Sequence, residues 1–460
     1  MKQKNIFSAI SIPVFYLAAF LLMYHLLQNY SVYNRFFSSF MQTYENVDGT
    51  ISKVSKPFTE ISDQTLNTMD AAHYATIKDN LYTPTPQIED SQFNTAFFPL
   101  FPLVWKLFFL PATGVVFLNY LLHLLSALIL AWVFCKKSVT NALLLIFMLP
   151  TLTVFLVPYS EAVFMLSISI ALLGWKKQNK YMYIAGLLAA SMTRPVFLLL
   201  IAAVAATEAF YVVRDKEYKI SYKHVLITVI TLLAGTFLVA LFQKMYHHGS
   251  LFVFMTAQKH WGTYFRIPSK IVDGSFESLG MNIFALVFCF YFGAAVLVPK
   301  FLKKEETKTD PFDYWYYFSW IYLLIATLFV LLLQGGSLHS LYRYTLCTPF
   351  FYIIIFQQMN AGFKLSQLEL LALFGGFIFC CFMFIEVAPY PHSWDLAEAK
   401  GFGFTKTGFI LLCLCLFYFL IVQKFRHFSK YIFLGLLIFS GIIWNCYLLN
   451  MFTSHAWIFL

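Results

Sequence analysis

Charge is what this chain lacks most. Only 12% of its 460 residues are Asp, Glu, Lys or Arg, against about 25% in a soluble domain. The deficit is filled by apolar residues at 60%, including 54 Phe and 28 Tyr. A water-soluble core of this length cannot hide so many rings while still covering its surface with polar groups. A soluble enzyme and a disordered chain are therefore excluded. Cysteine is scarce too. The eight Cys lie in or beside apolar runs without metal-knuckle or catalytic spacing, which excludes a disulfide scaffold and leaves them as small hydrophobes. There is no P-loop, no GxGxxG after a strand, no HExxH, no GxSxG and no paired-acid DxD site, so no nucleotide cradle or metal site is legible. The net charge of +10 points to lysines holding loops at a cytoplasmic surface and not to nucleic acid.

Long apolar runs take the place of these features. The reading is an all-α integral membrane protein, a polytopic helical bundle of about thirteen transmembrane helices in one domain over residues 1–460. Spans are expected near 6–28, 113–135, 139–157, 160–175, 181–194, 196–213, 222–245, 279–299, 314–333, 341–358, 368–386, 409–423 and 431–450. The first is read as an uncleaved span, since its basic start leads into an apolar stretch with no small-residue cleavage site. Short runs such as 181–194 must sit inside the bundle or beneath a thinned interface. The segment 97–112, interrupted by Pro99, Pro102 and Pro111, reads as re-entrant or interfacial.

Lys and Arg set the orientation. Of the 32, 15 cluster in the short loops at 136–137, 176–180, 214–219, 300–308 and 423–430, and Lys2, Lys4, Lys223 and Lys364 on the same side bring the total to 19. That side is cytoplasmic by the positive-inside rule. The segment 29–112 is then a long first outer loop, expected to contain amphipathic helices on the membrane and the re-entrant piece.

Polar residues that could carry chemistry gather on the outer side. Asp70, His73 and Tyr74 fall at i, i+3 and i+4, one face of a helical turn. A carboxylate against an apolar wall suits a general base; the competing reading is a solvated loop acid. Glu161 begins a span, where a helix N-terminus favours an acid. Arg194 and Arg343 stand at outer span ends, where they either snorkel to the interface or bind phosphate through a bidentate fork. Gln258, His260 and Trp261 complete the set; interfacial anchoring is their plainer reading.

Four stretches carry a resemblance. Asp70 through HYATI to AFFPLFP, PYSEAVF, AGLLAASMTRPVF and FMTAQKHWGTYFRIP occur in that order over residues 68–268. They resemble the PIG-V family, the second mannosyltransferase of GPI-anchor synthesis and its bacterial relatives, with a looser match around Arg343-Tyr344. Met69 stands where that family usually has Trp, and Gln92 where it often has an acid.

The resemblance implies a GT-C glycosyltransferase with Asp70 as catalytic base in the first outer loop. It takes mannose from a polyprenyl-phosphate-mannose donor, usually with inversion, and passes it to a glycan, glycolipid or protein acceptor. Arg194 and Arg343 are expected to bind the donor phosphate, and His73, Tyr74, Glu161, Gln258 and Trp261 the acceptor or substrate. No cofactor is expected; the partners are membrane lipid and the two substrates, with an accessory membrane subunit as an option. The compact chain suggests a bacterial inner membrane with a periplasmic site, the alternative being the endoplasmic reticulum and its lumen. A transporter or flippase of a lipid-linked sugar is the rival function, expected to place its site at mid-membrane in broken helices.

Overall fold

A computed structural model describes residues 3–30, 42–47, 50–55, 58–83, 89–136, 139–215, 218, 220–247, 250–268, 279–302, 311–361 and 428–455. The spans expected at 368–386 and 409–423 lie outside the described residues. Within them the protein is a helical integral membrane protein. Six helices are long and apolar enough to cross a bilayer: Ile10–Asn29, Ala112–Phe134, Phe197–Arg214, Tyr222–His247, Met281–Val298 and Asp313–Leu333. Val139–Met148 and Pro150–Leu156, expected as one straight span, meet at 78° and make a seventh if taken together. Pro150 supplies the break, because it cannot donate into the preceding helix. The run expected at 341–358 is likewise divided, into Leu341–Thr345 and Pro349–Ala361.

The long helices are patterned for lipid. On Tyr222–His247 the residues Leu226, Ile230, Leu233 and Phe237 are exposed, while Thr228, Thr231, Gly235 and Thr236 are buried against protein. Large apolar side chains face outward and small or hydroxylic ones face inward. That arrangement suits a bilayer, where helices associate through close packing rather than by hiding from water.

Two shorter helices, Glu161–Lys176 and Lys180–Thr193, form an antiparallel hairpin inside the bundle. Asn179 caps the second helix, its side chain accepting from the Tyr181 and Met182 amides. Gly186 permits their close approach, since a Cβ there would lie 2.5 Å from the Ala171 nitrogen. The hairpin brings Glu161, at the start of one helix, level with Arg194, at the end of the other.

The segment between the first helix and Ala112–Phe134, expected as the first outer loop with helical and re-entrant pieces, also contains strands. It opens with an antiparallel β-hairpin, Gln42–Val47 paired with Thr50–Ser55. The helices Asp63–Leu66, Asp70–Asn80 and Leu100–Leu107 follow, with a 3₁₀ turn at Glu89–Ala96. Polar ties fasten this segment to the bundle. Asp63 accepts from the Thr113 amide and hydroxyl at 2.9 and 3.0 Å, capping the helix Ala112–Phe134. The Thr59 amide donates to Asn450 at 2.8 Å, on the last helix, Phe428–Thr453. Leu107, Phe108 and Phe109 leave an exposed apolar tip next to buried Phe101 and Trp105.

Candidate functional site

Asp70 is set by a strained turn. Met69, just before it, has φ of +52°, a conformation rare for a residue with a bulky side chain. The turn starts the helix Asp70–Asn80 with Asp70 in its first position, where the N-terminal dipole favours a carboxylate. One turn along, the buried Tyr74 hydroxyl donates to Ser160 Oγ at 2.8 Å. Burial above all, then the carboxylates of Glu161 and Asp70, push the Tyr74 phenol well above its ordinary pKa. It stays a neutral donor.

The backbone beside Ser160 is held from below. Asn119, buried in the helix Ala112–Phe134, donates to the carbonyls of Val157 and Tyr159 at 2.8 and 3.0 Å. This positions the start of the helix Glu161–Lys176. Glu161 is wholly buried, and its Oε1 accepts from Arg343 Nε at 2.7 Å and lies 3.3 Å from Arg194 Nη1. Arg343 also reaches outward, its Nη1 lying 2.9 Å from Asp70 Oδ2. Each guanidinium rests on a ring: Arg343 on Tyr159 at 4.7 Å and Arg194 on Tyr344 at 5.0 Å. Two carboxylates and two guanidiniums thus form one neutral cluster. Asp70 is its most accessible member, with 24% of its side chain exposed.

Above the cluster is a cavity of about 380 Å³ whose walls include Asp70, Tyr74, Arg194, Gln258, Trp261 and Arg343. The structure therefore brings to one cavity six residues that are separated by up to 273 positions in sequence. Glu161 is not among the lining residues; it stands behind both arginines. The expectation that it touches substrate gives way to a counter-ion role, because the buried start of its helix points into the bundle. His73 also fails to line the cavity. Its Nδ1 is 2.7 Å from Asn94 Oδ1, and its ring stacks on Phe97 and meets the edge of Trp261. It braces the wall. Gln258 donates to the Ala96 carbonyl at 3.2 Å, tying the helix Val253–His260 to the same wall. The His260 side chain lies outside the described residues.

Residues that sequence reasoning passed over also face this space. His339, Gln334 and Ser340 line the cavity, Ser340 with φ of +59°. Burial, then the positive Arg343, push the His339 imidazole down to about 4, against an upward pull from Asp70. It is neutral at physiological pH. Its position four residues before Arg343 was the available signal.

No family model matches the chain, and no curated protein or solved structure matches it.

Proposed function

We propose that this protein is a membrane glycosyltransferase of the GT-C type, with about thirteen spans, that moves mannose from polyprenyl-phosphate mannose to an acceptor hydroxyl. The reaction takes place on the non-cytoplasmic face, in the periplasm of a bacterial inner membrane. One observation carries the reading: an accessible carboxylate, Asp70, and two buried arginines, Arg194 and Arg343, line the same cavity. The four ordered motifs that resemble the PIG-V family support it, since Asp70, Glu161, Arg194 and Trp261 each fall within one of them.

The chemistry assigns each group a task. Asp70 takes the proton of the acceptor hydroxyl as that oxygen attacks the anomeric carbon. The transition state is oxocarbenium-like, as in glycoside hydrolysis. The bond from the anomeric carbon to the phosphate oxygen breaks, and the lipid phosphate leaves with one more negative charge. Arg194 and Arg343 stabilise that charge from desolvated seats in the cavity wall. Tyr74, Gln258 and Trp261 shape the acceptor side of the cavity.

The decisive experiment incubates purified protein with radiolabelled polyprenyl-phosphate mannose and candidate acceptors, and identifies products by mass spectrometry. Transfer to a defined acceptor is expected. Uptake of the same lipid into vesicles without transfer would instead support a transporter. Efficient transfer from GDP-mannose with no lipid carrier present would sink the assignment.

A further inference from the structure

Arg343 has two sides with different surroundings. Its Nε is locked to the wholly buried Glu161 Oε1 at 2.7 Å, and its ring partner Tyr159 is buried as well. Its Nη1 side borders the cavity and is occupied by Asp70 at 2.9 Å. In this arrangement, then, the proposed base and one of the proposed phosphate ligands neutralise each other. Neither is free for its task.

We infer that Arg343 is exchanged between Asp70 and the donor phosphate, so that donor binding releases the base. This rests on the mannosyltransferase reading above. The charge balance favours the exchange. During transfer Asp70 gains a proton and loses its charge, while the phosphate, once its bond to the anomeric carbon breaks, gains one. Once Arg343 has turned to the donor it stands where the charge grows and has left the carboxylate whose charge disappears. An arginine anchored by Nε to Glu161 can turn its outer fork from one to the other without leaving its buried seat, and a fork suits a phosphate. Arg194, which also pairs with Glu161, holds its place in the cavity wall while Arg343 turns. Binding is consequently ordered: an acceptor arriving first meets a carboxylate already engaged, whereas an acceptor arriving after the donor meets a free one.

The test measures binding of farnesyl phosphate, a short prenyl monophosphate, to the full chain in detergent, with inorganic phosphate as a second probe. Asp70→Asn removes the competing charge and is expected to tighten farnesyl phosphate binding at least about fivefold, the lower end of coupling between linked events. The gain should vanish in the Asp70→Asn, Arg343→Gln double variant, because there is no longer an arginine to release. Inorganic phosphate should show the same gain at weaker affinity, which locates the effect in the headgroup and not the chain. If both variants melt like the wild type and Asp70→Asn binds the prenyl phosphate no more tightly, the exchange is wrong while the donor assignment stands. If neither wild type nor Asp70→Asn binds it at millimolar concentration, the donor assignment fails and the exchange falls with it.

Discussion

Two buried polar clusters in this protein solve the same electrostatic problem differently. In the cavity cluster Asp70, Glu161, Arg194 and Arg343 neutralise one another beside a cavity. The second sits at the other end of the bundle, where Phe197–Arg214 and Pro311–Leu333 pack together. There Glu208 accepts from the hydroxyls of Tyr218 and Tyr314 at 3.0 and 3.1 Å. Arg214 lies among the rings of Phe210, Tyr211 and Tyr317. Neutral hydroxyls and aromatic faces hold charges still without competing for them, which suits a structural joint. Opposed full charges are costly to bury and often no better for stability than apolar packing. Spending four of them around one cavity makes sense where charge must move during a reaction.

The sharpest break in the comparison is a difference of faces. Cysteines placed at Thr65 and Gln178 in a cysteine-free background should respond oppositely to an impermeant maleimide. Thr65 should label in intact cells, and Gln178 only after lysis. Labelling of Gln178 in intact cells would overturn the topology and the assignment of the two clusters to opposite sides.

Activity should divide the clusters next. Asp70→Asn is expected to reduce transfer by about 10²–10⁴-fold, the usual contribution of a positioned general base, while melting stays close to wild type. Glu208→Gln should retain most transfer activity. Retention of more than about a tenth of activity by Asp70→Asn would remove it as the base. Asp63, which caps the helix Ala112–Phe134, and the exposed Asp79 would then be tested next.

Stability should divide them in the other sense. Glu161→Gln leaves two buried guanidiniums without their shared counter-ion and should cost about 3–5 kcal/mol, read from denaturation of the detergent-solubilised protein. Glu208→Gln should cost less, about 1–3 kcal/mol, because the amide oxygen still accepts from one or both tyrosines. Equal losses would mean that the two clusters do not differ in kind.

Smaller effects refine the cavity cluster. Replacing Arg343 or Arg194 with Lys keeps the charge but loses the fork. Donor affinity or rate should fall by about tenfold to a hundredfold at one or both sites, as for a lost charge-assisted hydrogen bond or two, with partial recovery at high donor. The smallest expected effect is pH-dependent. His339 titrates at about 4 in the folded protein against 6.5 ordinarily, so between those values the unfolded chain binds the extra proton. Stability should therefore fall as pH drops from 6.5 towards 4 and level off below that. His339→Gln should flatten this part of the melting profile.

Sequence alone determined the class of this protein and much of its helix map. Apolar run length and composition are local properties, and a bilayer demands about the same length of every unaided span. The helices at Ala112–Phe134, Tyr222–His247 and Asp313–Leu333 accordingly fall where their apolar runs placed them. The β-hairpin was legible but unread: Gln42–Val47 and Thr50–Ser55 flank Asp48-Gly49, a strong two-residue hairpin signal. Asp70, Arg194 and Arg343 could be singled out because charges at membrane edges are few. Their meeting could not, since no local pattern says which span ends converge. Tertiary structure decided that Arg343 bridges Asp70 and Glu161, that Glu161 stands behind the arginines, that His73 braces a wall and that His339 faces the cavity. The reason is physical. Helix propensity and hydropathy act over a few turns, whereas an ion pair between residues 161 and 343 depends on how the intervening helices pack, which depends on all of them at once.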